Sequence, residues 1–210
     1  LFLMEALWTR FIPATEKLLE LLAQNLIGEP LLVKADFGFR AKYDPKERLF
    51  NKKLGGGSLL DIGIYPVFMS LLTLGAPKQI QATAIHSETG IDSACSMTFT
   101  YGNEQMAILD ASFLVTTPQE TIIHGTEGYL KLHTPLNHSQ QISYYRGNQL
   151  VETYKASHLG NGFCHEIQEV IECLQTGRTQ SSKMPHSFSL SLIETLDRVR
   201  KEIGLVYEAD

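Results

Sequence analysis

Between Gln79 and Tyr154 the sequence breaks into short β-rich runs, and on both sides of that block apolar residues recur at helical spacing instead. The runs include Ala94 to Tyr101, Gln105 to Val115, Gln119 to Ile123, Tyr129 to Leu132, Gln141 to Tyr145 and Gln149 to Tyr154. Gly102-Asn103 and Gly147-Asn148 lie between such runs, and a Gly-Asn pair supplies the positive φ that a tight hairpin needs. Successive runs are therefore expected to pair mostly antiparallel. A block of strands bounded by helices predicts an α+β fold: an open, mostly antiparallel sheet with helices packed on one face. With 210 residues, 43% of them hydrophobic and 20% charged, the chain can bury a core as one domain or two small ones, which excludes general disorder.

Ahead of the block, Leu1 to Leu3 read as the end of a buried strand. Pro13-Ala14-Thr15-Glu16 then opens a helix with Leu18, Leu19, Leu21, Leu22 and Leu26 at helical spacing, stopped by Gly28 and Pro30. Leu31 to Phe39 alternates, which puts Val33, Ala35, Phe37 and Phe39 on one face of a strand. Ala41 to Leu54 is charged and turn-rich, an exposed loop. After Gly55-Gly56-Gly57, Ser58 can cap a helix with Asp61 at its third position, in the manner of a capping box. That helix runs to Leu74, and Pro66 inside it predicts a kink or local widening near Tyr65. Two further helices, Gly162 to Leu174 and Phe188 to Ile203, are ended by Gly177 and Gly204.

Composition narrows the function. Eighteen Lys and Arg against 23 Asp and Glu leave a net charge of -5 and no basic run, so nucleic acid is not an expected partner. Cys95, Cys164 and Cys173 are an odd number, which fits a reducing compartment, and the expected location is the cytoplasm. The longest uncharged stretch, Ile62 to Pro77, is interrupted by Gly63 and Pro66 and falls short of the roughly 20 residues of a membrane span, so no membrane partner is expected. Leu1 to Trp8 lacks the basic leader and cleavage site of a signal peptide. Opening on Leu1 rather than methionine, the sequence is expected to be the tail of a longer protein.

The densest chemistry is the segment Gly55 to Pro66. On a helix, Asp61 and Tyr65 project from one face, where a neutral phenol can donate a proton to an oxyanion while the carboxylate orients a neighbouring hydroxyl. The alternative is a capping Asp61 and a Tyr65 that packs with its hydroxyl satisfied. Glu5, Trp8 and Arg10 stand where a strand end would present them at the carboxyl edge of a sheet, a common ligand site. The alternative there is an Arg10 paired to a nearby carboxylate and a Trp8 in the core. Neither G-x-G-x-x-G nor a Walker-type loop occurs, and no G-x-S-x-G elbow is present. Cys164, His165, Glu166 and Glu169 cluster on a predicted helix without the spacing of a metal site, so no metal is expected; His86, His124, His133 and His138 are expected to face solvent or pack locally.

Three segments carry a resemblance. Phe2 to Phe11, the Gly-Gly-Gly-Ser-Leu-Leu-Asp-Ile-Gly-Ile-Tyr-Pro run of Gly55 to Pro66, and the Gly125-Thr126-Glu127-Gly128 turn are similar to the C-terminal portion of the glucose-fructose oxidoreductase and inositol dehydrogenase (Gfo/Idh/MocA) family, nearest its dihydrodiol dehydrogenase branch. The similarity extends over essentially the whole chain, and the triple-glycine run is its most specific part. It implies an NAD(P)-dependent oxidoreductase with an N-terminal Rossmann domain and a C-terminal α+β domain whose open sheet often forms the dimer interface. It divides this chain into residues 1–10, the end of the Rossmann domain, and 11–210, the substrate-binding and oligomerisation domain. By position in the motif, Tyr65 matches the general acid/base and Asp61 the carboxylate that binds or orients a substrate hydroxyl. Glu5, Trp8 and Arg10 fall in the segment lining the cofactor-substrate cleft, and Phe39 forms an apolar wall.

The implied reaction is hydride transfer between NAD or NADP and a small polyol, sugar or dihydrodiol, with Tyr65 handling the proton. In the family, a Glu-Lys-Pro segment ahead of this chain's first residue supplies a lysine beside the nicotinamide. A tyrosine with an ordinary pKa of about 10 is a poor base at neutral pH without such a cation, so these residues alone are expected to be idle. The implied partners are the small-molecule substrate and a second copy of the chain. The alternative function is a non-catalytic dimerising module that binds a small polyhydroxylated ligand.

Overall fold

The computed structural model describes residues 1–102, 104–208 and 210. Helix α1 (Pro13–Ala23) starts on a proline, whose missing N–H falls in the turn where helical donors have no partner, and it buries Ala14, Thr15, Leu18 and Leu21. In β1 (Pro30–Gly38) the residues Val33, Ala35 and Phe37 alternate onto the buried face, as their spacing predicts. Helix α2 (Ile64–Leu74) leads into β2 (Gln79–His86), β3 (Asp92–Thr100), β4 (Met106–Ser112), β5 (Thr121–Gly125), β6 (Tyr129–Leu132), β7 (Gln141–Arg146) and β8 (Gln149–Lys155). Helices α3 (Cys164–Gln175) and α4 (His186–Glu202) follow.

All eight strands form one sheet in the order β2-β3-β4-β1-β5-β6-β7-β8. Neighbours are antiparallel except β1 and β4, which run parallel from Leu32 opposite Met106 to Gly38 opposite Ser112. A parallel pair cannot be closed by a tight turn. The chain therefore leaves β1, passes through the 41–54 loop, α2 and the β2–β3 hairpin, and only then returns as β4. At the β7–β8 hairpin, Arg146 lies opposite Gln149 and Gly147 has φ +57°, as the Gly-Asn pair predicts. Strands β3 and β4 also pair antiparallel, with Thr100 opposite Met106; the predicted Gly102-Asn103 turn between them includes Asn103, which lies outside the described residues.

The fold class is the expected one, a mixed sheet with its helices packed against it. Helix α2 lies over β1 and β4, α4 over β2 and against α2, and α1 over β6 and β7. The stretch Lys52–Leu74 is long and apolar enough by composition to cross a membrane, yet 61% of its apolar window is buried inside this fold. Its α-helical part carries Val67, Phe68 and Met69 at the centre of the core.

Two local expectations are corrected. Leu1 to Leu3 are not a strand: Leu1 and Leu3 are exposed, and the segment is tied down by the Leu3 N–H bond to Thr179 O and the bond between Leu3 O and His186 Nε2. An apolar run becomes a strand only beside another, and none of the eight pairs with it. Strand β2 opens the β-rich block at Gln79 as expected, and its residues alternate, with Ile80 buried and Ala82 and Ala84 half-buried on one face. The 41–54 segment is largely exposed as expected, but Phe50 turns inward between Tyr43 and Phe113, with ring centroids 4.9 and 5.7 Å away.

On α3, Glu169 is buried and accepts bonds from Ser181 Oγ at 2.6 Å and Cys173 Sγ at 3.4 Å. Burial pushes its carboxyl up, but these bonds and the Lys183 and Arg178 charges outweigh burial and hold it below the usual glutamate range. A depressed carboxyl gives stability that is present above its unfolded pKa and is lost as pH falls through the folded one. Glu169→Gln should therefore flatten the acid limb of thermal unfolding measured from neutral into acid pH. An unchanged acid limb would show that other carboxylates set it.

Candidate functional site

The triple glycine is a packed joint. A Cβ on Gly56 would lie 2.5 Å from Arg48 O, 2.7 Å from Leu49 O and 2.9 Å from Asn51 N, all backbone atoms that cannot swing aside. Gly57 has φ +131° and sits against the Asp92 carboxylate where a Cβ would collide with Oδ1. Its N–H donates to Leu49 O, and Tyr207 Oη donates to Gly56 O at 2.7 Å.

The helix that follows starts differently from the expected capping box. Ser58 is already helical (φ -68°, ψ -34°) and makes no cap bond with its side chain. Its hydroxyl donates to Asp92 Oδ2 at 2.8 Å, and Leu59 N–H donates to the same oxygen at 2.6 Å. A carboxylate from the start of β3 thus ends this helix, in place of a local side chain. Asp61, freed from capping, accepts from Arg48 Nη2 at 2.5 Å.

The widening predicted from Pro66 is present, one turn earlier than Tyr65. Leu59–Gly63 form a π-turn that passes into α2 at Ile64. Pro66 has no N–H for the Ile62 carbonyl and its ring crowds that carbonyl, which a wider turn relieves. The widened turn also changes the offset between Asp61 and Tyr65. They do not bond to each other: Asp61 turns to Arg48, and Tyr65 Oη accepts from Trp8 Nε1 at 3.2 Å.

Around Tyr65 the fold assembles residues from distant parts of the sequence. Trp8 stands on a short 3-10 turn (Trp8–Phe11), stacked on His138 at 5.1 Å and on Phe163 at 4.3 Å between centroids. His158 follows, its ring 5.6 Å from that of His138. Phe37 closes the β1 side at 5.4 Å from the Tyr65 ring. Burial pushes the Tyr65 phenol up, the Trp8 hydrogen bond opposes this, and the Asp61 and Glu166 carboxylates raise it further. The phenol is therefore neutral at neutral pH and equipped to donate a proton.

The structure brings Trp8, Asp61 and Tyr65 together among the residues singled out above. Arg10 lies elsewhere: it is buried, with Nη1 on Glu16 Oε1 at 2.7 Å and Nε on Lys183 O at 2.9 Å, the paired alternative stated for it. Glu5 is half-buried with Oε2 unpartnered among the described residues. Phe39 packs on Phe113 at 5.5 Å, and the residue against Tyr65 is Phe37. Strand β1 ends at Gly38, and beyond it Phe39 N–H donates to Ser112 O, which holds the residue beside Phe113. His138, Phe163, Glu166 and Asp92 carried no spacing signal, because each reaches the site only through the fold. His138 was expected to face solvent or pack locally; it packs on Trp8. Among the described residues no three His, Cys, Asp or Glu side chains are placed to share a metal ion.

Comparison with known proteins matches residues 15–131 to the GFO/IDH/MocA C-terminal domain. The chain belongs to the GFO/IDH/MocA family. Curated relatives include trans-1,2-dihydrobenzene-1,2-diol dehydrogenase of Danio rerio, 36% identical, and of Homo sapiens, 33% identical, each aligned over 100% of this chain and 64% of its own length. The chain thus spans 64% of the length of these relatives. Among solved structures, aldose-aldose oxidoreductase from Caulobacter crescentus complexed with glycerol has TM-score 0.81 at 23% identity over 96% of this chain and 62% of that one. A 3-ketoreductase from Actinomadura kijaniata with NADP and TDP-benzene has TM-score 0.79 at 21% identity over 97% and 63%. At these identities the structures establish the shared fold.

The family implies a nicotinamide dinucleotide, and the residues of this GFO/IDH/MocA domain fit only part of one. Gly56 and Gly57 are filled by their own protein's backbone and by Asp92, so the triple-glycine run is not a cradle for phosphates. The Tyr65 phenol suits the reacting end, where a proton must be placed on oxygen.

Proposed function

We propose that the chain is the substrate-binding and proton-transferring domain of an NAD(P)-dependent oxidoreductase acting on the CH-OH or carbonyl group of a small polyol, sugar or dihydrodiol. The observation that carries the reading is the neutral, half-buried Tyr65 phenol, hydrogen-bonded to Trp8 and under the field of Asp61. The nicotinamide, when bound, supplies or takes the hydride. In carbonyl reduction Tyr65 Oη–H donates to the oxygen as charge develops on it; in alcohol oxidation the phenolate must take the hydroxyl proton, which the raised pKa disfavours until a cation approaches. Phe37 and the Trp8 stack supply an apolar wall on which the carbon frame of the substrate rests. The names of the relatives, a dihydrodiol dehydrogenase and an aldose oxidoreductase, support this substrate class.

The same reading includes a homodimer through the uncovered face of the sheet. Met106 and Ile108 of β4 and Ile85 of β2 are exposed there, an apolar set that a second copy would cover. Three unpaired cysteines support a cytoplasmic protein, and the net charge of -5 supports a small molecule over nucleic acid as its ligand.

The test is to express the protein from its complete coding sequence, titrate it with NADH and NADPH, and assay trans-dihydrobenzenediol and aldoses. Saturable dinucleotide binding, turnover of at least one such substrate and a dimer in sedimentation are expected. No dinucleotide binding and no turnover would replace the reading with the non-catalytic module, and a monomer would remove the sheet interface.

A further inference from the structure

We propose that Asp92 is a positioning residue that holds Asp61 in place relative to Tyr65, acting through the π-turn between them; this rests on the reading of Tyr65 as the proton donor. Asp92 begins β3 and is 0% exposed. A buried carboxylate is expensive unless it is paired and fully hydrogen-bonded, and this one has no ion pair among the described residues. Its Oδ2 takes the bonds from Ser58 Oγ and Leu59 N–H, while Oδ1 is buried without a partner, pressed against Gly57. If the helix needed only an N-terminal acceptor, a local serine, threonine or asparagine would serve at far lower cost. Asp92 differs from a local cap in one respect: it belongs to the sheet.

That difference matters because of the π-turn. Its extra residue is a local strain, and rewinding to ordinary α geometry turns one end of the segment by roughly 100° relative to the other. The α2 end cannot turn, since Val67, Phe68 and Met69 are each 0% exposed in the core. The end that carries Asp61 is packed as well, with Leu59 0% and Ile62 3% exposed, but apolar packing has no direction and the bonds to Asp92 give it one. Arg48 holds Asp61 from the loop side, but its side chain is 57% exposed and such a pair contributes little. The two bonds to Asp92 fix Ser58 and Leu59, at the start of the π-turn, and so fix the offset at which Asp61 stands from Tyr65. Gly57 completes the arrangement, because a side chain there would push Oδ1 away.

Tyr65 itself reports the outcome. The charged or polar groups that face it are Asp61, Glu166 and the Trp8 indole, and those that face Asp92 are Ser58, His86, Cys95 and Tyr207. The experiment is a titration of individual tyrosines by ring-labelled NMR on the 210-residue chain, with Trp8, its single tryptophan, as a second reporter through emission. Asp61→Asn sets the scale, since removing that charge should lower the Tyr65 midpoint. Asp92→Ala should lower it to a similar extent, as Asp61 swings away. Asp92→Asn, which keeps an acceptor for Leu59 N–H, should restore the wild-type midpoint. If Asp92→Ala does not fold, Ser58→Ala, which removes one of the two donors, should move the midpoint the same way by less. A Tyr65 midpoint unmoved in the folded Asp92→Ala or in Ser58→Ala, with Asp61→Asn shifted, overturns the proposal. Failure of the oxidoreductase reading would appear instead as absent turnover in the complete protein, which this titration does not measure.

Discussion

Tyr65→Phe in the complete protein should lower turnover by about two to four orders of magnitude, the range typical of losing a general acid, with dinucleotide affinity nearly unchanged. The substitution keeps the ring that packs at 5.4 Å on Phe37 and removes only the hydroxyl. Its structural cost is one acceptor for Trp8 Nε1, a bond of 3.2 Å in a half-buried position, worth about 1 kcal/mol. Folding should therefore survive, and a fall in kcat without a matching rise in KM would place the loss in the transition state. Cofactor affinity should hold because none of the Tyr65 contacts is a phosphate ligand. Turnover within a few-fold of wild type would show that another group moves the proton, and Asp61 would be the next residue to test.

Phe68→Ala should remove about 3–5 kcal/mol of stability, a large part of the 5–15 kcal/mol of an ordinary domain. Phe68 is 0% exposed on α2 and meets Phe188 of α4 edge-on, with centroids 5.8 Å apart. Helix α2 is the element between α4 and the β1–β4 pair, so the space left by the ring has rigid walls on both sides and cannot close. The same helix carries Tyr65 one turn earlier. Urea unfolding monitored by circular dichroism reads the loss, and a change below about 1 kcal/mol would mean that α2 does not pack as described.

Much of this architecture was open to reading before any coordinates. Helix α1 announces itself by Pro13 and its leucines, β1 by Val33, Ala35 and Phe37, and the β7–β8 turn by Gly147-Asn148. Even the local widening of the second helix follows from Pro66, because a proline denies a hydrogen bond and crowds a carbonyl at a known distance along the chain. These features depend on neighbours within a few residues. Tyr65 and Asp61 were legible for the same reason, as polar groups on an otherwise apolar helix.

The residues that surround Tyr65 were not legible. Trp8 could be placed at a strand end, but the strand is absent and its indole is held by His138, from the β6–β7 connection, and by Phe163, just ahead of α3. Ser58 followed by Asp61 has the composition of a capping box, yet the donor at Leu59 is taken by a carboxylate from β3. Arg10 and Phe39 had plausible positions in the cleft and are engaged elsewhere, one by Glu16 and Lys183, the other by Phe113.

By itself, then, the sequence determined most of the elements, their order and the helix that carries Asp61 and Tyr65, since propensity, turn chemistry and proline geometry act over short range. Only the tertiary structure decided that β1 runs parallel to β4 in the middle of the sheet, that Asp92 caps the start of the helical segment carrying Asp61 and Tyr65, and that Trp8 holds the Tyr65 hydroxyl. Each of those depends on the burial of a continuous core, which ranks contacts by the apolar surface they cover and the polar groups they leave satisfied, without regard to separation along the chain.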